Sequence, residues 1–163
     1  MGVRGVRWTG KVVVAAVVLA TTLGAAATAG AVAYDRSNPV STGCSKSGYV
    51  NETRTARTYG PWSVRIVRST GCRTAWGLVN RTDGKACRPP TNCARIKIVR
   101  QAINGTKAIS SRKQVNGTGS QISLQYGALA GARWTATVYT YGGTRLGDSA
   151  VLVSNADGSW SLG

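Results

Sequence analysis

The chain has 163 residues, of which 21 are lysine or arginine and only 5 are aspartate or glutamate, so its formal net charge is +16. Histidine is absent, which removes the side chain that most often acts as a general base near neutral pH. With so few acids, scattered along the chain, the carboxylate pair of a glycosidase is hard to assemble. The composition therefore favours a binding protein over an enzyme.

The N-terminal segment has the three-part layout of a secretory signal peptide. Residues 1–11 contain basic residues and no acid, residues 12–23 are apolar apart from Thr21 and Thr22, and a run of small residues ends in Ala31-Val32-Ala33. The apolar run is shorter than the ~20 residues that a membrane span needs. We expect cleavage after Ala33, with Ala27-Thr28-Ala29 as a second candidate site, and export of residues 34–163 as one domain.

Four cysteines in a small exported protein predict two disulfides. Three pairings are formally possible. Cys87 and Cys93 enclose a short, proline-stiffened loop whose ends can meet locally, which leaves Cys44 and Cys72 for a longer link worth roughly 3 to 4 kcal/mol in the loop-entropy model. A zinc site is disfavoured because the chain has neither histidine nor a Cys-x-x-Cys spacing.

In chain order, short extended runs alternate with turn dipeptides, which predicts an all-β fold, a small antiparallel sandwich or barrel stapled by two disulfides. Residues 34–47 should be irregular, and strands are expected at 49–58, 62–69 and 76–81. Within the second strand, Trp62, Val64 and Ile66 should share one face, because side chains alternate along a strand. Asp83-Gly84 follows as a turn of the hairpin kind.

The second half continues the pattern. The run from Ala94 to Gln101 predicts a half-buried strand with Ala94, Ile96 and Ile98 inward and Arg95, Lys97 and Val99 outward. Residues 109–115 read as an edge strand, and further strands are expected at 121–126, 132–141 and 149–154. In the 132–141 strand Trp134, Ala136 and Val138 should share one face.

Two motifs resemble a known family. The patterns Tyr34-Asp35-x-x-x-Pro39-x-x-Thr42-Gly43-Cys44 and Cys72-Arg73-Thr74-Ala75-Trp76 resemble those of the YjfA-like family, secreted proteins of Gram-positive bacteria, common in actinomycetes, whose function is unknown. The resemblance covers residues 34–81. It implies that Cys44 and Cys72 are a bonded pair and that Trp76 belongs to the core. It implies export and no particular catalytic activity.

The positive charge is concentrated between Arg65 and Lys113, where Asp83 is the only acid. Such a surface attracts anionic polymers by raising their local concentration, and outside a Gram-positive cell these include teichoic acids and lipid headgroups. Specific nucleic-acid binding is disfavoured because charge alone gives non-specific affinity. The alternative is that these residues are solvated strand faces that keep the protein soluble. The candidate anionic-polymer-binding residues are Arg65, Arg68, Arg95, Lys97 and Arg100.

A second hypothesis is a secreted inhibitor or effector that presents the Cys87 to Cys93 loop, with Arg88 as its anchor, to a protein partner.

A Ser110-x-x-Lys113 pattern, typical of some acyl enzymes, lacks its accompanying motifs and is interpreted as coincidence. Aromatic residues at strand spacing favour a core over a sugar-stacking face; they are Tyr126, Trp134, Tyr139, Tyr141 and Trp160. We expect a monomer without metal or cofactor.

Overall fold

The computed structural model describes residues 33–88, 93–105, 107–113 and 120–163. Eleven strands lie in these ranges, and they form two antiparallel sheets that pack face to face, so the predicted all-β sandwich is confirmed. The predicted signal peptide lies outside the described residues, except for Ala33. Within the described ranges, no helix is long and apolar enough to cross a membrane.

The strands are, in chain order, β1 (Tyr49–Tyr59), β2 (Trp62–Ser69), β3 (Thr74–Arg81), β4 (Ala94–Gln101), β5 (Lys107–Lys113), β6 (Ser120–Ile122), β7 (Tyr126–Gly127), β8 (Ala132–Thr140), β9 (Arg145–Asp148), β10 (Leu152–Ser154) and β11 (Trp160–Leu162). Sheet I has the order β1-β2-β3-β6, with β7 also paired to β3. Sheet II has the order β11-β10-β8-β4-β5, with β9 also paired to β8.

The core lies between the sheets and is built by strict alternation along the central strands. Sheet I contributes Trp62, Val64 and Ile66 of β2, and sheet II contributes the inward residues of β4 and β8, among which Ile96 and Ala136 are fully buried. These are the faces that the sequence predicted.

Gly77 of β3 sets how closely the two sheets approach. A Cβ at this position would lie 3.1 Å from side-chain atoms of Ile96 and Ala136 in the opposite sheet. This spacing is tighter than ordinary van der Waals contact, so a side chain there would require Ile96 or Ala136 to shift by a few tenths of an ångström.

Trp76 is buried, with 1% of its surface exposed, but it lies on the outer face of sheet I rather than between the sheets. It stands opposite Val67 in the β2–β3 register, one residue from the inward Gly77. The expectation that Trp76 is a buried core residue is thus confirmed, and it packs on the outer face of sheet I instead of between the sheets. A second, smaller packed region surrounds it.

Residues 34–48 are irregular, as predicted, and hydrogen bonds hold them against this outer face. The buried Gln125 donates from its side chain to Ser37 Oγ and Thr42 Oγ1, each at 2.8 Å, and accepts from Thr74 Oγ1 at 2.9 Å. The Cys44–Cys72 disulfide closes the same region, with a Cα–Cα distance of 5.6 Å. The second predicted disulfide, Cys87–Cys93, is also present.

Three local expectations were wrong. Asp83-Gly84 does not form a hairpin, because β3 belongs to sheet I and β4 to sheet II. The run 121–126 is not one strand: it divides into β6 and β7, and between them Ser123 and Gln125 are buried, with Ser123 Oγ accepting from Gly77 N. The C-terminal region holds β9, β10 and β11 instead of a single strand at 149–154.

A candidate anion-binding face on sheet II

The acids of this protein are largely engaged by arginines. Asp35 pairs with Arg100, Asp83 with Arg81, Asp148 with Arg145, and Glu52 with both Arg54 and Arg68. Asp157 instead accepts a hydrogen bond from Ser159 N at 2.8 Å in an exposed turn. The excess positive charge is therefore carried by other basic residues, and their positions decide where an anion can bind.

Arg68 is engaged in the most buried of these clusters. Its Nε donates to Glu52 Oε1 at 2.5 Å, and its guanidinium carbon lies 5.5 Å from the centre of the Trp160 ring. Glu52 is 3% exposed. Burial raises the pKa of Glu52, but the hydrogen bonds from Arg68 and Arg54 outweigh it, so the pKa lies below its usual value and the carboxylate stays charged.

Arg100 is also turned away from solvent. It is 5% exposed, its two terminal nitrogens contact Asp35 at 2.9 and 2.8 Å, and Nη1 also donates to the carbonyl of Gly127 at 2.8 Å. The Tyr126 ring lies 5.3 Å from its guanidinium carbon. Arg100 follows the inward parity of Ala94, Ile96 and Ile98 along β4, so it fixes the N-terminal segment instead of facing an external polymer.

Arg65 lies on the other side of the molecule. It is on the outer face of sheet I, opposite Leu78 in the β2–β3 register, and it is half-buried. Its Nε is buried and has no hydrogen-bond partner among the described residues. The five basic residues predicted to bind one polymer thus do not form one surface. Arg95 and Lys97 share the outer face of sheet II. The other three, Arg65, Arg68 and Arg100, do not lie on that face.

Four basic residues form an ordered array on the outer face of sheet II. Arg95 and Lys97 point outward from β4, as predicted, and the β4–β8 register places them opposite Tyr139 and Thr137. Toward the other end of the same face, Gln101 of β4 lies between Lys107 of β5 and Arg133 of β8. Among the described residues no acid lies within ion-pair distance of these four basic side chains. They define what we call the basic face: Arg95, Lys97, Lys107 and Arg133.

A short apolar row crosses the basic face between its cations. Val99 of β4 pairs with Ile109 of β5 on one side and with Thr135 of β8 on the other. Ile109 is 43% exposed. The face is therefore positive at both ends with a narrow apolar centre, a mixture suited to a flexible polyanion with apolar segments between its charges.

A cleft of about 230 Å³ opens on the basic face and is lined by Arg95, Ile96, Lys97, Tyr139 and Gly143. Gly143 lies in the hairpin between β8 and β9 and has a φ of 104°. A Cβ there would lie 3.7 Å from Nη1 of Arg95, which shows that the guanidinium reaches the hairpin. The cleft thus combines two cations, one aromatic ring and a wall of backbone.

Sequence reasoning found Arg95 and Lys97 but missed the other parts of this cleft. Tyr139 was grouped with aromatic residues expected in the core; Tyr126 and Trp134 are buried there, whereas Tyr139 lies on the outer face. Strand parity does place Tyr139 on the face opposite Val138, and the structure confirms that face, but the sequence does not show that Tyr139 stands opposite Arg95. Gly143 was recognised only as a turn residue, because a hairpin's distance from a neighbouring strand is not visible in the sequence.

Two further predictions concern the Cys87 to Cys93 loop and the absence of a metal site. Cys87 and Cys93 are buried, and their Cα atoms lie 4.8 Å apart, so they hold the base of the proposed partner loop closed. Residues 89–92 of that loop lie outside the described residues. Within the described ranges, no group of three or more histidine, cysteine, aspartate or glutamate side chains could hold a metal ion.

Comparison with protein-family models, with curated proteins and with solved structures found no match to this chain. The resemblance to the YjfA-like family therefore stays a prediction from the two motifs. Any assignment of function has to come from the fold and from the basic face.

Proposed function

We propose that this protein is exported and associates with an anionic polymer of the Gram-positive cell envelope through the basic face of sheet II. The observation that carries the proposal is the arrangement of charges: four acids are held by arginines, whereas Arg95, Lys97, Lys107 and Arg133 share one face and have no acidic partners among the described residues. The two disulfides are compatible with an extracellular setting.

A wall polymer fits this face better than a compact protein partner does. The cations are spread over three neighbouring strands, β5, β4 and β8, and the cleft among them is small and shallow. A protein interface normally has a depleted charge density and large apolar anchors at its centre, whereas a polyanion needs repeated cations along its path. Teichoic acid supplies a regularly spaced phosphate charge outside the cell.

The test is co-sedimentation of the purified, disulfide-bonded protein with Gram-positive cell walls, prepared with and without teichoic acid, across a salt series. We expect binding that needs teichoic acid and weakens as salt rises, because counterions screen the attraction. Since each cation near an anionic surface contributes about 1 kcal/mol, the double variant Arg95→Gln, Lys97→Gln should bind about thirtyfold more weakly.

The matched control is the double variant Lys46→Gln, Arg57→Gln. Both residues are exposed on the sheet I side of the molecule, and the substitution lowers the net charge by the same amount. We expect it to bind within a few-fold of the unmodified protein. Equal losses in the two double variants would show that net charge alone drives binding, and no binding to walls at low salt would overturn the proposal and direct attention to the Cys87 to Cys93 loop.

A further inference from the structure

We infer that the cleft between Arg95, Lys97, Tyr139 and Gly143 is a specific subsite for one polyol phosphodiester unit of a wall polymer. This inference rests on the proposed function, and it adds a recognition element to what would otherwise be attraction by charge. The defining feature is that an aromatic ring and a glycine-walled hairpin adjoin the two cations.

The size of the cleft limits what can enter it. At about 230 Å³ it is smaller than the roughly 300 to 1,000 Å³ that pockets for drug-sized ligands occupy. One phosphate with a short linking unit fits this volume, whereas a long oligosaccharide or a folded peptide does not. The polymer must then run out of the cleft along the basic face toward Lys107 and Arg133.

The two cations are arranged for successive charges. Arg95 and Lys97 are two residues apart on one strand, so their positions are about 6.8 Å apart along β4. The guanidinium of Arg95 can grip two phosphate oxygens at once, whereas the ammonium of Lys97 acts as a point charge. One phosphate in the cleft on Arg95 would place the next unit of the chain beside Lys97.

Tyr139 adds an uncharged contact to the recognition of the polymer. It stands directly opposite Arg95 in the antiparallel β4–β8 register, where paired Cβ atoms are about 4.5 to 5.5 Å apart. Its ring offers an apolar surface to the carbons of a polyol, and its hydroxyl can donate or accept one hydrogen bond. A phosphodiester bearing hydroxyl groups on its linker therefore meets a matching partner at each position.

Gly143 forms one wall of the cleft. Its φ of 104° is a conformation that residues with a side chain rarely adopt, and a side chain there would contact the Arg95 guanidinium. The hairpin backbone therefore forms a wall close to the Arg95 guanidinium. The nearest acid in register, Asp148 on β9 opposite Thr137, is paired with Arg145.

The experiment is competition. Protein bound to teichoic-acid-bearing walls is released either with a short poly(glycerol phosphate) or with inorganic polyphosphate of equal total charge. We expect the polyol phosphodiester to release the protein at about tenfold lower concentration, a difference of about 1.4 kcal/mol. Tyr139→Ala changes no charge and should remove this preference. Arg95→Lys keeps the charge but loses the planar guanidinium that binds two phosphate oxygens at once, so it should reduce the preference.

The matched control is Lys107→Gln, which removes a cation from the basic face outside the cleft and should weaken both competitors equally. Equal potency of the two competitors on the unmodified protein, or a preference that survives Tyr139→Ala, would overturn the subsite while leaving envelope binding intact. A failure to bind walls at all would instead remove the proposed function.

Tyr139-dependent binding to phosphatidylglycerol vesicles, with no binding to walls, would overturn the wall polymer as the source of the phosphodiester. Each variant is checked by circular dichroism and thermal melting.

Discussion

At the scale of single residues, Glu52 shows how the protein uses a scarce acid. It is buried at the start of the bulge in β1, and it joins Arg54 of its own strand to Arg68 of β2, which in turn lies against Trp160 of β11. One carboxylate thus connects an edge strand of sheet I with an edge strand of sheet II. Without its charge, Arg68 would remain largely covered with no counterion.

The substitution Glu52→Gln should therefore lower the free energy of unfolding at neutral pH by about 1.5 to 3 kcal/mol, the value of a hydrogen bond to a charged group. The folded-state pKa of Glu52 is lowered from the ordinary value of 4.5. Its contribution is consequently present above pH 4.5 and is lost as the pH falls through the folded-state pKa. Urea unfolding of both proteins from pH 7 to pH 3 measures this difference.

Asp157→Asn is the matched control for that series, because Asp157 lies in an exposed turn and its hydrogen bonds come from Ser159 instead of an arginine. We expect a smaller loss of stability at pH 7 than in Glu52→Gln. If the stability gap between the unmodified protein and Glu52→Gln stayed constant down to pH 3, the assignment of that gap to the charged carboxylate would be wrong.

At the scale of secondary-structure elements, the sandwich depends on one close approach between β3 and sheet II. Gly77→Ala adds a carbon that meets Ile96 and Ala136 at 3.1 Å, whereas Gly142→Ala adds the same carbon in a turn where the nearest atom is Thr140 Oγ1 at 3.8 Å. Both changes reduce the freedom of the unfolded chain equally. We expect Gly77→Ala to be less stable than Gly142→Ala by about 1 to 2 kcal/mol in thermal or urea unfolding. Equal stability would mean that the sheets have room to spare.

The element scale also shows what the sequence could predict. The central strands β2, β4 and β8 follow from alternation, because one face of each is apolar and is buried against the other sheet. The Cys87–Cys93 bond follows from its short loop. Each of these features depends on neighbours that are close along the chain, and the pattern of those neighbours can be read directly.

The failures of prediction involve partners that are distant along the chain. The break between β6 and β7 depends on Ser123 and Gln125 bonding to β3 and to the N-terminal segment. Trp76 lies on the outer face of sheet I, where its ring centroid is 6.2 Å from that of Tyr49, a contact that strand periodicity does not indicate. Arg100 was assigned to the binding surface because its acid, Asp35, is 65 residues away. For the same reason the sequence predicted a basic surface but not which of its cations are neutralised.

At the scale of the whole molecule, the two outer faces of the sandwich present different features to a partner. The sheet I side carries the disulfide-linked N-terminal segment and the ion pairs of Glu52, and the outer face of sheet II carries the basic face with its cleft. An anionic polymer should consequently meet the protein in one orientation, with sheet II toward the polymer and residues 34–48 away from it.

The most direct test of this arrangement is to record amide and side-chain chemical shifts of the isotopically labelled protein while soluble teichoic acid is added. We expect the changes to concentrate on the outward positions of β4 and β8, foremost Arg95, Lys97 and Tyr139, and to leave the segment 34–48 unaffected. Changes centred on that segment or on the Cys87 to Cys93 loop, or no changes at a teichoic acid concentration that saturates wall binding, would contradict the assignment of the binding face to sheet II.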